Sequence, residues 1–226
     1  MRRIPKIPAP IHLNGSNAGS AMPPEPAVLV AEVTQLHHET TARWHEGSPD
    51  NPYEGLLASV CQQHQFNYLL WHEEDIARSP DVPNQQIAAV KRAIDRYNQQ
   101  RNDWIEKIDE SLVQALAAES VLPRRDARLN TETPGSAIDR LSIMALRIYH
   151  FEEQAAREEI DSAQRASVEE RLARCRAQHA DLSQSLAELL DDIFAGRKLL
   201  KVYRQMKMYN DPTLNPYLYR AHQLAS

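Results

Sequence analysis

Apolar residues recur at helical spacing along four long proline-free stretches, 27–48, 53–79, 84–122 and 135–211. Recurrence every three or four positions marks an amphipathic helix, whereas strict alternation would mark a half-buried strand. The pattern predicts a first helix over 27–45, with Leu29, Val33, Leu36 and Trp44 on one side, and a second over 53–78. A third is predicted over 84–118, with Ile87, Val90, Ile94, Tyr97, Trp104, Ile108 and Leu112 in line, and a fourth over 135–156. The fifth starts at Ser162 and reaches at least Ala195. Its residues Val168, Leu172, Cys175, His179, Leu182, Leu186, Leu189 and Ile193 alternate spacings of four and three, which is a heptad seam. The links between helices one and two and between two and three are short, which predicts antiparallel neighbours. The expected fold is all-α, an up-down bundle of about five long helices.

Proline placement sets the boundaries. Residues 1–26 hold six of the 14 prolines and predict a disordered tail, leaving 27–226 as a single helical-bundle domain. Residues 119–134 form the one long link. Loops of this length in compact domains are functional or disordered, and this one is expected to cover the gap above the start of the shorter fourth helix.

Several core-facing positions are polar. His64 and Asn67 interrupt the apolar stripe of helix two, Arg101 sits in that of helix three, and His179 occupies the seam of helix five. Helix four is apolar nearly all round yet carries Asp139 and Ser142. A buried charge is costly unless paired. Counting residues from the helix ends at ~1.5 Å each brings His64, Arg101, Asp139 and His179 to one level, with Arg101–Asp139 as the natural ion pair. This layer is either a satisfied network that fixes helix register or the polar floor of a pocket.

Charge adds a second feature. The chain carries 26 Lys+Arg against 31 Asp+Glu, a net −5. Arg197, Lys198, Lys201, Arg204 and Lys207 form a basic segment without acids, near the expected start of helix four. A helix N-terminus beside a basic stripe suits an anion. The expected ligand-binding residues are therefore Asn67, Arg101, Asp139, Lys201, Tyr203, Arg204, Lys207 and Tyr209, the two tyrosines for stacking. His64 and His179 are the candidate general bases if the pocket is catalytic.

Other chemistry is thinly supported. There is no P-loop, dinucleotide-binding fingerprint or nucleophile elbow, and no cofactor is expected. No Glu-x-x-His or His-Glu-x-x-His occurs. Three aromatic–His pairs do precede acids: Trp44-His45-Glu46, Trp71-His72-Glu73-Glu74-Asp75 and Tyr149-His150-Phe151-Glu152-Glu153. Helices two and four should run parallel, which allows a metal set of His72, Asp75, His150 and Glu153. Amphipathic helix ends explain the pattern more simply, and no metal is expected. Cys61 and Cys175 lie on apolar faces and read as buried thiols. Net acidity argues against nucleic acid. No apolar run approaches the ~20 residues of a membrane span, no secretory signal is visible, and a cytoplasmic protein is expected. A homo-oligomer stays open.

The polar motifs carry a resemblance over about residues 28–219. They include Leu36-His37-His38, Asn51-Pro52-Tyr53-Glu54-Gly55-Leu56-Leu57, Gln63-His64-Gln65-Phe66-Asn67-Tyr68 and Trp71-His72-Glu73-Glu74-Asp75. Further along come Tyr97-Asn98-Gln99-Gln100-Arg101-Asn102-Asp103, Glu132-Thr133-Pro134-Gly135-Ser136 and Ile138-Asp139-Arg140-Leu141-Ser142-Ile143. The last is Lys201-Val202-Tyr203-Arg204-Gln205-Met206-Lys207-Met208-Tyr209-Asn210-Asp211-Pro212. Together they resemble an uncharacterised bacterial all-helical family of unknown function. The resemblance implies a helical protein with no assigned activity, encoded near glycosyltransferase and cell-envelope polysaccharide genes, and it transfers no catalytic residues. Three readings follow: a protein that binds an anionic sugar or phosphate ligand or a glycosyltransferase partner, an enzyme of the same pocket, or a structural adaptor using helix one and Leu214 to Tyr219.

Overall fold

A computed structural model describes residues 23–206 and 213–214. Its elements are α1 (Pro26–Glu46), α2 (Gly55–Arg78), α3 (Asn84–Ala118), β1 (Arg128–Leu129), α4 (Pro134–Ala155), α5 (Ser162–Phe194) and β2 (Lys198–Leu199). The all-α bundle expected from periodicity is what the structure shows. Most of the expected tail, and both Lys207 and Tyr209, lie outside the described residues. Pro26, assigned to the tail, is the first residue of α1.

Helix starts follow local chemistry. Thr133 caps α4 by accepting from the Ser136 N–H, with Pro134 in the first turn. Asp161 opens α5 with a capping box. Its carboxylate accepts from the Gln164 N–H at 2.7 Å, and the Gln164 side chain accepts from the Asp161 N–H at 3.3 Å.

One core joins all five helices through Leu29, Leu36, Trp44, Val60, Ile108, Leu112, Leu141, Leu186 and Leu190. A satellite cluster of Leu70, Val90, Ile94 and Tyr97 closes the α2–α3 hairpin. α2 packs chiefly on α3, and α4 on α5, as the short links predict. α1 departs from the expected antiparallel pairing. Its His37 ring packs on His64 at 4.6 Å and its His45 ring on His72 at 5.2 Å, so α1 and α2 advance in the same direction. α4 also runs with α2, because Gln63 meets Asp139 while Trp71 meets His150. The segment 47–54 between α1 and α2 has no regular structure and lies as a strap along the pair. Its Asp50 carboxylate accepts from the Trp44 indole at 3.0 Å and the Arg43 guanidinium at 2.9 Å. α1, α2 and α4 thus end at one end of the bundle, the lower end.

The long link 119–134 is pinned at the upper end. β1 pairs in parallel with β2, with Arg128 opposite Lys198 and Leu129 opposite Leu199. The Arg124 N–H donates to the Gly196 carbonyl at 2.9 Å. Gly196 has φ +70°, and a Cβ there would stand 2.6 Å from the Leu122 carbonyl oxygen, so only glycine suits the corner.

Candidate functional site

The polar side chains of α1 to α4 form one connected network at mid-height. Asp139 is its centre, buried among apolar neighbours. Arg101 clamps it with two parallel bonds, Nε to Oδ1 and Nη2 to Oδ2, both 2.7 Å. Gln63 Nε2 donates to Oδ1 at 2.6 Å and Asn67 Nδ2 at 2.9 Å. The two-point clamp is the strong geometry for Arg–carboxylate pairs. The second Asn67 amide hydrogen goes to Ser142 Oγ at 2.8 Å.

The network fixes the state of His64. The Thr41 hydroxyl donates to the His37 carbonyl at 2.7 Å, so it accepts from His64 Nε2 at 3.0 Å. His64 Nδ1 then accepts from the Ser142 hydroxyl at 2.7 Å. Both ring nitrogens are satisfied by protein, the ring is fully buried, and burial pulls its pKa down to about 3. A general base must reach the proton it removes, and His64 faces no solvent. It is a neutral structural histidine, which corrects its candidacy as a base. His179 is half-buried and does not join the Asp139 network. It lies near the buried His37, whose pKa is held well below the usual range, above all by burial.

Arg101 is the network's contact with solvent, its side chain 27% exposed against 6% for Asp139. It opens onto a cleft of about 400 Å³ between α2, α3 and α4. Asn67, Trp71, Glu74, Arg78, Asn98 and Arg147 line it with Arg101. Arg78 pairs with Glu74 at 3.0 Å. Arg147 forms no ion pair among the described residues and rests its Nη1 on Met144 Sδ at 3.5 Å. Arg101 is paired with Asp139, and Arg78 with Glu74 and Asp75, so Arg147 is the lining cation without an ion pair among the described residues.

The basic segment lies elsewhere. Arg204 pairs with Glu106 at 3.1 Å and with Glu110, both above the Arg101 level on α3. Lys201 and Tyr203 are exposed on the same side, and none of the three lines the cleft. The N-terminus of α4 already holds an anion. The Asp109 carboxylate accepts from the Gly135 N–H at 2.7 Å, and burial raises its pKa to about 6. The link 119–134 does not cover the cleft, because its strand pairing holds it at the upper end. Of the alternative metal set, His72 and His150 do come together, Glu153 accepts from His150 Nδ1 at 2.8 Å, and Asp75 turns outward to Arg78. Arg78, Asn98 and Arg147 were not anticipated. Each sits at a stripe edge where a solvated charge or amide would look the same in sequence.

This is a helical-bundle protein organised around a buried polar network with one solvent-facing arginine. A family model described as "Protein of unknown function (DUF4254)" matches residues 57–202, well over half of the chain, and the chain belongs to that family. No curated protein and no solved structure matches it. No helix among the described residues is long and apolar enough to cross a membrane.

Proposed function

We propose that the chain binds a small anionic ligand, of the phosphate or sugar-phosphate class, in the cleft between α2, α3 and α4. The observation that carries this reading is the set Arg78, Arg101 and Arg147 around a cleft of ligand size. Arg101 is held rigid by Asp139, which is how a planar guanidinium is prepared for bidentate recognition. Asn67 and Asn98 supply amides, and Trp71 offers a face for a sugar ring. The resemblance to a family encoded near glycosyltransferases makes nucleotide sugars and sugar phosphates the first compounds to try. An enzymatic reading finds less support, since neither His64 nor His179 lines this cleft.

The test is thermal stabilisation by such compounds. A ligand at 100 times its Kd stabilises by about 2.7 kcal/mol. Arg147→Ala should cut affinity at least tenfold while the unliganded midpoint stays in place, as expected for a surface side chain. Arg101→Ala is the wrong probe, because it strands the Asp139 charge and destabilises the fold itself. Full ligand stabilisation in Arg147→Ala, or none in the parent protein, overturns the proposal.

A further inference from the structure

We propose that His45, His72 and His150 form a binding site for one divalent transition-metal ion of the zinc class. The three residues come from the lower parts of α1, α2 and α4. Each offers a ring nitrogen, and these nitrogens lie within 4.8 Å of one another. They are the histidines of the three aromatic–His pairs in the sequence, Trp44-His45, Trp71-His72 and Tyr149-His150.

The outer contacts turn two of the rings toward the common point. His45 Nδ1 lies 2.7 Å from the Thr41 carbonyl oxygen. A carbonyl only accepts, so the proton is on Nδ1 and the ring's lone pair is on Nε2. His150 Nδ1 lies 2.8 Å from Glu153 Oε2, which fixes the same tautomer. A carboxylate or backbone carbonyl behind a histidine is the usual support of a metal ligand. His150 Nε2 is buried and has no hydrogen-bond partner among the described residues. A buried acceptor without a donor is unfavourable in a cluster that serves packing alone, and a cation would satisfy it.

The rings are also held in place. Tyr149 stacks on His45 at 4.2 Å and Trp71 on His150 at 4.9 Å. Tyr68 sets its ring edge-on to His72 at 4.5 Å, and its hydroxyl is committed to the Trp44 carbonyl. Zn–N bonds of ~2.0–2.1 Å in a tetrahedron place nitrogens roughly 3.3 Å apart, a small closure from the present spread. Three imidazoles suit zinc, copper or nickel and not magnesium or calcium. Three protein ligands leave a fourth position for water or a ligand atom.

The experiment uses the full, untagged chain stripped with EDTA, with Zn²⁺ and Co²⁺ alone as probes. Titration calorimetry should show one equivalent of Zn²⁺ bound at micromolar Kd or tighter. Co²⁺ should give the visible absorption of a nitrogen-ligated, low-coordinate ion. His150→Gln should weaken Zn²⁺ binding at least 100-fold, and Glu153→Gln about tenfold or more. His38→Gln, on the exposed face of α1, should leave it unchanged. Should His150→Gln misfold, His72→Gln replaces it with the same expected loss. Absence of stoichiometric binding in the parent chain, or binding unchanged in His72→Gln or in a folded His150→Gln, overturns the site.

Discussion

At the scale of single residues, buried ionisable groups pull stability in opposite directions as pH falls. Burial lowers the pKa of His64 to about 3, and His37 is also depressed. Below about pH 6.5 the unfolded chain takes up protons that these folded rings refuse, so stability falls with pH by up to ~1.4 kcal/mol per unit for each ring. Asp109 acts the other way. Its pKa is raised to about 6 by burial, so between about pH 6 and 4 the folded state keeps a proton the unfolded chain releases. Asp109→Asn removes this opposing contribution while Oδ1 can still accept from Gly135. Urea midpoints measured from pH 6 to 4 should then fall more steeply than in the parent, by about 1.4 kcal/mol per unit. An unchanged slope would mean Asp109 is ionised in the folded protein throughout. The Arg101–Asp139 pair was legible in sequence, because a charge inside an apolar stripe must find a partner. Gln63 and Thr41 were not, since an uncharged polar side chain at a stripe edge carries no such demand.

At the scale of elements, the five helices were legible nearly to the residue from apolar spacing and proline placement. The two-residue strands β1 and β2 were not, because a pair that short has no period. Their function is to hold the 119–134 link, and Gly196 is the corner that permits it. Gly196→Ala puts a Cβ against the Leu122 carbonyl at a φ that favours glycine. The expected result is new protease cleavage within 119–133 at a rate several-fold above the parent, with the helical circular-dichroism signal kept. Equal resistance would show that the link is held by something other than this corner. The strap was misread for a definable reason. Ser48-Pro49-Asp50-Asn51-Pro52 looks like a reversal, yet each proline drives the residue before it to extended geometry. The antiparallel pairing expected across this short link would put His45 at the opposite end of the bundle from His72 and His150, whereas the three meet.

At the scale of the whole molecule, α1 stands apart. It precedes the segment matched by the family model, yet it supplies Thr41 to the polar network and His45 to the histidine cluster. Its tether is a question of reach. The contacts Thr41–His64, Trp44–Tyr68 and His45–Tyr68, taken with His37–His64 and His45–His72, put Gly55 beside about Ala31, so the strap must climb back about 15 helical residues, roughly 22 Å. Nine extended steps from Glu46 to Gly55 cover roughly 30–32 Å. That leaves roughly 8–10 Å of slack, part of it taken up where Asn51 accepts from the Tyr53 N–H and donates to the Ala58 carbonyl. Deleting four strap residues, Gly47, Ser48, Asn51 and Pro52, leaves five steps or roughly 17–18 Å, too short for α1 to seat on its own bundle. The helix keeps its apolar face and its partners, so its seat is then on a second copy, as in domain swapping. Light scattering of the shortened chain should show a concentration-dependent dimer where the parent, at the same concentration, shows the lower mass. The length of one unstructured segment thus sets whether this fold closes within one chain or between two.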